Sequence, residues 1–208
     1  MMNRREALKG MSLTLGYVVA APAVFSILES CAGETQKWTS VFLTDSEKSM
    51  VIQLTDIILP SSDIPGGREV NLPQFTDMMC KDVLTESDKD LFHRGSQVFS
   101  DRFVKRFNKE IVKAKKKEVA ELFGTYFDKT PEESNIILEL QKKSIDDLPD
   151  EGIEDYLMYK CLMTVRTFSL LGYFTSEKIG KEVLNYDPVP GEWKPCIPAE
   201  EVGNAWAI

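Results

Sequence analysis

The stretch GIEDYLMYKCLMTVRTFSLL, residues 152 to 171, is apolar over most of a helix circumference. Tyr156, Leu157, Met158, Tyr159, Cys161, Leu162, Met163, Val165 and Phe168 leave it little polar face. A helix without a polar side is stable only when other elements cover it on several sides. The remaining sequence must therefore supply packing partners, and the expected class is all-α: a helical bundle round this segment.

Those partners are legible as amphipathic runs. Thr44 and Glu47 have capping-box spacing ahead of Met50, Val51, Leu54, Ile57 and Ile58, which recur on one helical face, so a helix is expected over 45 to 58. Pro60 ends it, and SSDIPGG is a loop in which Gly66 and Gly67 read as turn residues at positive φ. A short helix over 73 to 83 is expected to turn Phe75, Met78, Met79 and Val83 inward. Thr85 or Ser87 can cap a longer one carrying Leu91, Phe92, Val98, Phe99, Phe103 and Phe107. A further helix follows KAKKKE with Val119, Leu122, Phe123, Tyr126 and Phe127 in register. Thr130, Pro131 and two glutamates start another, which carries Ile136, Ile137 and Leu140. After Gly172 the prolines multiply and the period is lost, so a short helical turn and a long irregular C-terminal tail are expected, with Val183 to Tyr186 the only strand-like piece.

The other end reads as an address. NRREALK resembles the twin-arginine export motif, with Arg4 and Arg5 as its most specific part and Ala7 where Phe is usual. An uncharged stretch from Met11 to Leu28 follows. Its length fits a cleaved signal and also lies at the lower edge for a retained anchor. LESC resembles a lipobox, in which Leu28 and Ser30 conform and Glu29 is unusual, making Cys31 the candidate lipidation site. The organisation expected is a signal over 1 to 30, a tether over 31 to 43 in which Trp38, Val41 and Phe42 first touch the fold, and one helical domain over 44 to 208 with its tail from about 172.

Chemistry is sparse. The excess of 33 acidic over 25 basic side chains disfavours a nucleic-acid role, which relies on Lys and Arg neutralising phosphates. His93 is the sole histidine, so no histidine metal cluster or histidine haem-ligand pair can be assembled, and it reads as structural. Phosphate-cradling glycine loops and the GxSxG elbow are missing. Asp146, Asp147, Asp150 and Glu151 cluster round Pro149 as a solvated interhelix loop, and Lys115 to Lys117 read as a solvated face. With Cys31 lipidated, Cys80, Cys161 and Cys196 remain, an odd number. Cys161 reads as core, and Cys196 as a candidate for a bond within the chain or to a partner. No catalytic, cofactor-binding or metal-binding residue can be named.

The segment GYFTSEKIGKEVLNYDPVPGEWKPCIP resembles the closing segment of the small third subunit of gluconate 2-dehydrogenase, with Gly172, Tyr173, Thr175, Ser176, Glu177, Tyr186, Pro190, Gly191 and Cys196 in matching order. ILPSSDIPGG resembles that family's early Pro-Gly loop, and a twin-arginine leader is typical of it; the similarity spans roughly 45 to 198. The resemblance implies an accessory subunit, without catalytic residues of its own, of a membrane-associated dehydrogenase on the periplasmic side of the inner membrane or another extracytoplasmic surface. The implied large partner is an FAD-containing flavoprotein of the glucose-methanol-choline type, often joined by a cytochrome c subunit carrying haem c. The small subunit would escort the folded flavoprotein through the twin-arginine machinery and stay with it. Tyr173, Phe174, Trp193 and Cys196 are the expected partner contacts, because an extended tail with apolar residues needs cover. Two alternatives stand beside it: a stand-alone enzyme using acidic side chains, and a lipid-anchored carbohydrate-binding module stacking sugars on Trp193 or Trp206.

Overall fold

The computed structural model describes residues 38–187, 189, 191 and 196–207, and those from Ser40 onward belong to one compact unit. Eight α-helices occur among them: α1 Asp45–Ile58, α2 Leu72–Asp82, α3 Glu86–Phe107, α4 Lys116–Phe127, α5 Pro131–Gln141, α6 Asp150–Thr175, α7 Glu177–Glu182 and α8 Ala199–Val202. Short 3-10 turns at Ile111–Lys113 and Ile145–Asp147 join α3 to α4 and α5 to α6. The all-α expectation holds: the described residues contain no strand, only an isolated parallel bridge between Asn185 and Trp206.

The helix starts follow the local chemistry. Thr44 and Glu47 form a reciprocal capping box, as do Thr130 and Glu133, each side chain satisfying a backbone donor that the first turn leaves open. Thr85 caps α3 through Asp88, and Asn108 ends it in the left-handed region at φ 52, where asparagine is tolerated. Pro60 follows the C-cap of α1.

Helix α6 is the hub. It packs most extensively on α3, then on α2, α1, α5 and α7. Met158, Cys161, Leu162 and Val165 of α6 meet Phe92, Phe99 and Phe103 of α3 and Met50, Val51 and Leu54 of α1 in the main core. The helix also runs four residues beyond its expected end, through Gly172 to Thr175. Gly172 does not break it because it serves as a contact: a Cβ there would lie 2.5 Å from the Phe75 ring of α2. The irregular tail accordingly begins after α7, near residue 183. Asn185 folds its end back, exchanging backbone hydrogen bonds with Ala205 and Ala207.

Three expectations are corrected. In α2 the buried face is Leu72, Thr76, Asp77 and Cys80, while Met78 and Val83 are 56% and 57% exposed. That rotation brings the Asp77 carboxylate under the chain entering the fold: it accepts hydrogen bonds from the Ser40 hydroxyl and the backbone N–H groups of Val41, Phe42 and Leu43. Residues 40–43 are thus strapped to the bundle, with Phe42 packed inward and Val41 turned outward. Finally, neither Gly66 nor Gly67 has positive φ. Glycine fits there by close approach, since a Cβ would stand 2.5 Å from the Ser61 nitrogen or 3.0 Å from the Thr55 carbonyl oxygen.

Candidate functional site

Of the expected contact and export residues, Arg4, Arg5, Cys31 and Trp193 lie outside the described residues. Phe174 is exposed beside Tyr173, ring edge to face at 5.6 Å, and Cys196 is exposed as a free thiol. Tyr173 itself is buried. Its hydroxyl donates to the Pro65 carbonyl oxygen at 2.8 Å, so its polar end is spent within the chain rather than offered to a partner. This bond ties the Pro-Gly loop to the end of α6. The two sequence stretches that carried the family resemblance are therefore in direct contact. Trp206 is exposed while its backbone is held in the bridge to Asn185, and the structure does not bring it to Phe174 or Cys196 in any described contact.

The densest polar cluster lies elsewhere, where α1 meets α3. Glu47 is buried, and its Oε2 accepts from the Thr44 backbone N–H and hydroxyl, both at 2.9 Å. Its Oε1 accepts from the Ser96 hydroxyl at 2.6 Å and from His93 Nδ1–H at 2.7 Å. The His93 ring stacks on Phe42 with centroids 4.5 Å apart. Burial pushes the Glu47 carboxyl upward, and the hydrogen bonds from Ser96, His93 and Thr44 outweigh it, leaving it below the ordinary carboxylate range.

This arrangement holds a histidine, a serine and a carboxylate together yet does not form a nucleophile relay. Ser96 donates to Glu47 and to the His93 carbonyl, not to the imidazole, and it is buried. Glu47 has its acceptor sites filled and is held ionised, a poor state for a general acid. The cluster joins the strap, α1 and α3; it reads as structural, as His93 did in sequence. The capping-box spacing disclosed the half of it that faces Thr44. The partners across α3 lie 46 and 49 residues away and gave no local signal. Among the described residues, no group of three or more His, Cys, Asp and Glu is arranged to hold a metal ion.

The more open feature is a groove of about 400 Å³ between α5 and α6. Ile136, Ile137 and Leu140 come from α5, Tyr156 and Tyr159 from α6, Leu148 and Pro149 from the segment between them, and Lys129, Glu133 and Asp155 bring charge to the lining. Helix α5 has no buried residue at all, and Ile136 is 62% exposed. The sequence carried an unread signal: Leu138 lies on the opposite side of α5 from Ile136 and Leu140, so one packed face could not cover all of its aliphatics. Among the described residues no helix is long and apolar enough to cross a membrane.

Comparison with known proteins agrees with the two contacting segments. No curated protein and no solved structure matches the chain. The family model for gluconate 2-dehydrogenase subunit 3 matches residues 45–191, from the first turn of α1 to the glycine of the tail. The chain belongs to the gluconate 2-dehydrogenase subunit 3 family, the accessory-subunit family of an oxidoreductase complex.

Proposed function

We propose that this chain is the noncatalytic small subunit of a periplasmic FAD-dependent sugar or sugar-acid dehydrogenase. In this reading it binds a glucose-methanol-choline type flavoprotein in the cytoplasm, carries it through the twin-arginine channel already folded round its cofactor, and remains as a stabilising subunit. FAD belongs to the partner, and a cytochrome c subunit passes electrons onward. Attachment at the membrane surface comes from a lipidated Cys31, a retained leader, or the complex itself.

The family match carries this reading. Two observations support it. NRREALK has the paired arginines of a route that exports folded proteins, a need that arises when a partner carries a cofactor. The most concentrated polar cluster of the described body is committed to joining helices, with Glu47 ionised and fully engaged.

The test is whether the neighbouring gene encodes a flavin oxidoreductase without an export signal of its own, followed by co-expression of the two proteins. Changing Arg4→Lys together with Arg5→Lys is expected to strand both proteins in the cytoplasm. Export of the flavoprotein without the small chain, or oxidation of a sugar by the purified small chain alone, would overturn the proposal.

A further inference from the structure

The basic side chains of this acidic protein are unevenly placed. Residues 105–117 hold seven of its 25 Lys and Arg and one of its 33 Asp and Glu, a net charge of +6. The whole chain sums to -8, so everything outside that segment carries -14. We propose that this segment is a docking surface for anionic phospholipid headgroups and lays one corner of the bundle on a membrane. It rests on the reading above only in placing the chain at a membrane surface; the flavoprotein and its cofactor play no part in it.

The corner is built to hold its charges outward. It runs from the last turn of α3 through the 3-10 turn Ile111–Lys113 to the start of α4. Ile111 is buried, and Gln53 of α1 donates through Nε2 to the Ala114 carbonyl oxygen at 3.2 Å, so the turn is pinned to the body on both sides of Val112 and Lys113. Val112, Lys113, Lys115, Lys116 and Lys117 are left exposed.

Nearby carboxylates neutralise only part of this charge. Arg106 meets Glu121 and Lys109 meets Glu118, each at 2.6 Å, and Lys116 meets Asp56 at 2.9 Å. Lys113 lies 3.4 Å from Glu110, but both side chains are about three-quarters exposed, a pairing worth little in water. Lys115 and Lys117 have no ion-pair partner among the described residues. The residues outside the described ones bring no surplus of counter-charge, since they hold four acidic side chains against five basic ones.

The kind of charge selects the surface. Six of the seven basic residues are lysines. Where a protein presents fixed carboxylates the planar fork of arginine is favoured, and lysine is depleted at protein interfaces. A headgroup layer presents a diffuse negative field instead, which clusters of about four to eight basic residues meet as mobile point charges. Val112, 54% exposed beside Lys113, adds an apolar side chain that can enter the headgroup boundary. The acidic remainder is repelled by the same field, so the chain approaches an anionic bilayer by this corner.

The test is co-flotation of the purified full chain with phosphatidylcholine vesicles, alone or with about 30% phosphatidylglycerol as the source of anionic charge. The patch variant combines Lys113→Gln, Lys115→Gln and Lys117→Gln. A control variant makes the same change in net charge at exposed lysines elsewhere, with Lys81→Gln, Lys143→Gln and Lys178→Gln. The leader, with Arg4, Arg5 and Lys9, is common to every sample and cancels between variants. On anionic vesicles the patch variant is expected to bind about a hundredfold more weakly than the parent, and Lys117→Gln alone about fivefold more weakly. The control is expected to stay within about twofold of the parent, and raising salt from about 0.05 M to about 0.5 M to erase the difference between parent and patch variant. Equal losses in the two triple variants, or the same patch-variant loss on phosphatidylcholine alone, overturns the proposal. So does competition by inorganic phosphate at constant ionic strength, because the ligand is then a free anion. Vesicle binding unchanged in a patch variant that no longer captures the flavoprotein also overturns it, because the occupant is then an acidic protein surface. Lipid binding as expected alongside a failure to co-export the flavoprotein sinks the dehydrogenase reading and leaves this corner standing; the reverse result sinks the corner alone.

Discussion

Gly95 of α3 lies against Leu157 of α6 so closely that a Cβ on the glycine would stand 2.1 Å from the leucine carbonyl oxygen. The Cys161 Cβ would be only 2.8 Å away. This is a close seam in the α3–α6 interface, the most extensive helix pair of the bundle, and a methyl group fits only if the helices part. Gly95→Ala is expected to destabilise by about 2 kcal/mol: crowding at the upper end of the usual range of about 1–3 kcal/mol, less the gain of about 1 kcal/mol in helix propensity. Gly152→Ala, with open space at its Cβ, should gain up to about 0.5 kcal/mol. Urea unfolding of the pair decides it; equal midpoints would show that the seam is not tight.

Asp77 does for the entering chain what a turn usually does for itself. Its carboxylate collects the Ser40 hydroxyl and three successive backbone donors. Asp77→Asn removes the charge and sets an amide NH₂ against those donors, so a loss of about 2–3 kcal/mol is expected. The loss has a location as well as a size. Limited proteolysis should cut the variant between residues 38 and 43 under conditions where the parent resists, and an unchanged cleavage pattern would refute the strap.

Glu47 predicts a dependence on acid. Its carboxyl titrates below its ordinary value near 4.5 in the folded chain, because hydrogen bonds to the ionised form prevail over burial. A depressed folded pKa contributes stability above the unfolded value, and that contribution is lost as pH falls through the folded value. Stability of the parent should therefore drop more steeply below about pH 4.5 than that of Glu47→Gln, which has nothing to titrate there. Glu69, Glu118 and Glu133 also titrate low but are common to both proteins, so the difference between the curves isolates Glu47. Parallel curves between pH 3 and 6 would exclude this account.

Local rules wrote much of this fold into the chain. The capping pairs Thr44–Glu47 and Thr130–Glu133, the stop at Pro60 and the all-round apolarity of α6 each act within a few residues, and each appears where expected. What escaped involved distant partners. The orientation of α2 depends on Asp77 meeting a segment more than thirty residues earlier, so counting apolar residues placed Phe75 and Met79 inward as observed but misplaced Met78 and Val83. Gly66, Gly67 and Gly172 are small because another part of the chain approaches them, a reason that no turn rule contains. The groove was missed for a related cause: the aliphatics of α5 looked like core, and only the assembled bundle shows that Ile137 packs against it while Ile136, Leu138 and Leu140 stay exposed.

The cysteines offer a last check on how the core closes. Cys80 and Cys161 are fully buried, whereas Cys196 is exposed. Burial, reinforced by the Asp77 and Glu47 charges, pushes the Cys80 thiol up to about 12; burial likewise raises Cys161 well above its ordinary value. Both are then thiols, not thiolates, at working pH and are shielded from solvent, two independent barriers to alkylation. Cys196 in the folded chain should react with iodoacetamide at pH 8, with Cys80 and Cys161 unlabelled until urea is added. Mass mapping of the labelled sites checks this directly. Labelling of Cys161 in the native protein would mean that α6 is not covered by α1 and α3, and the bundle described above would have to open around its central helix.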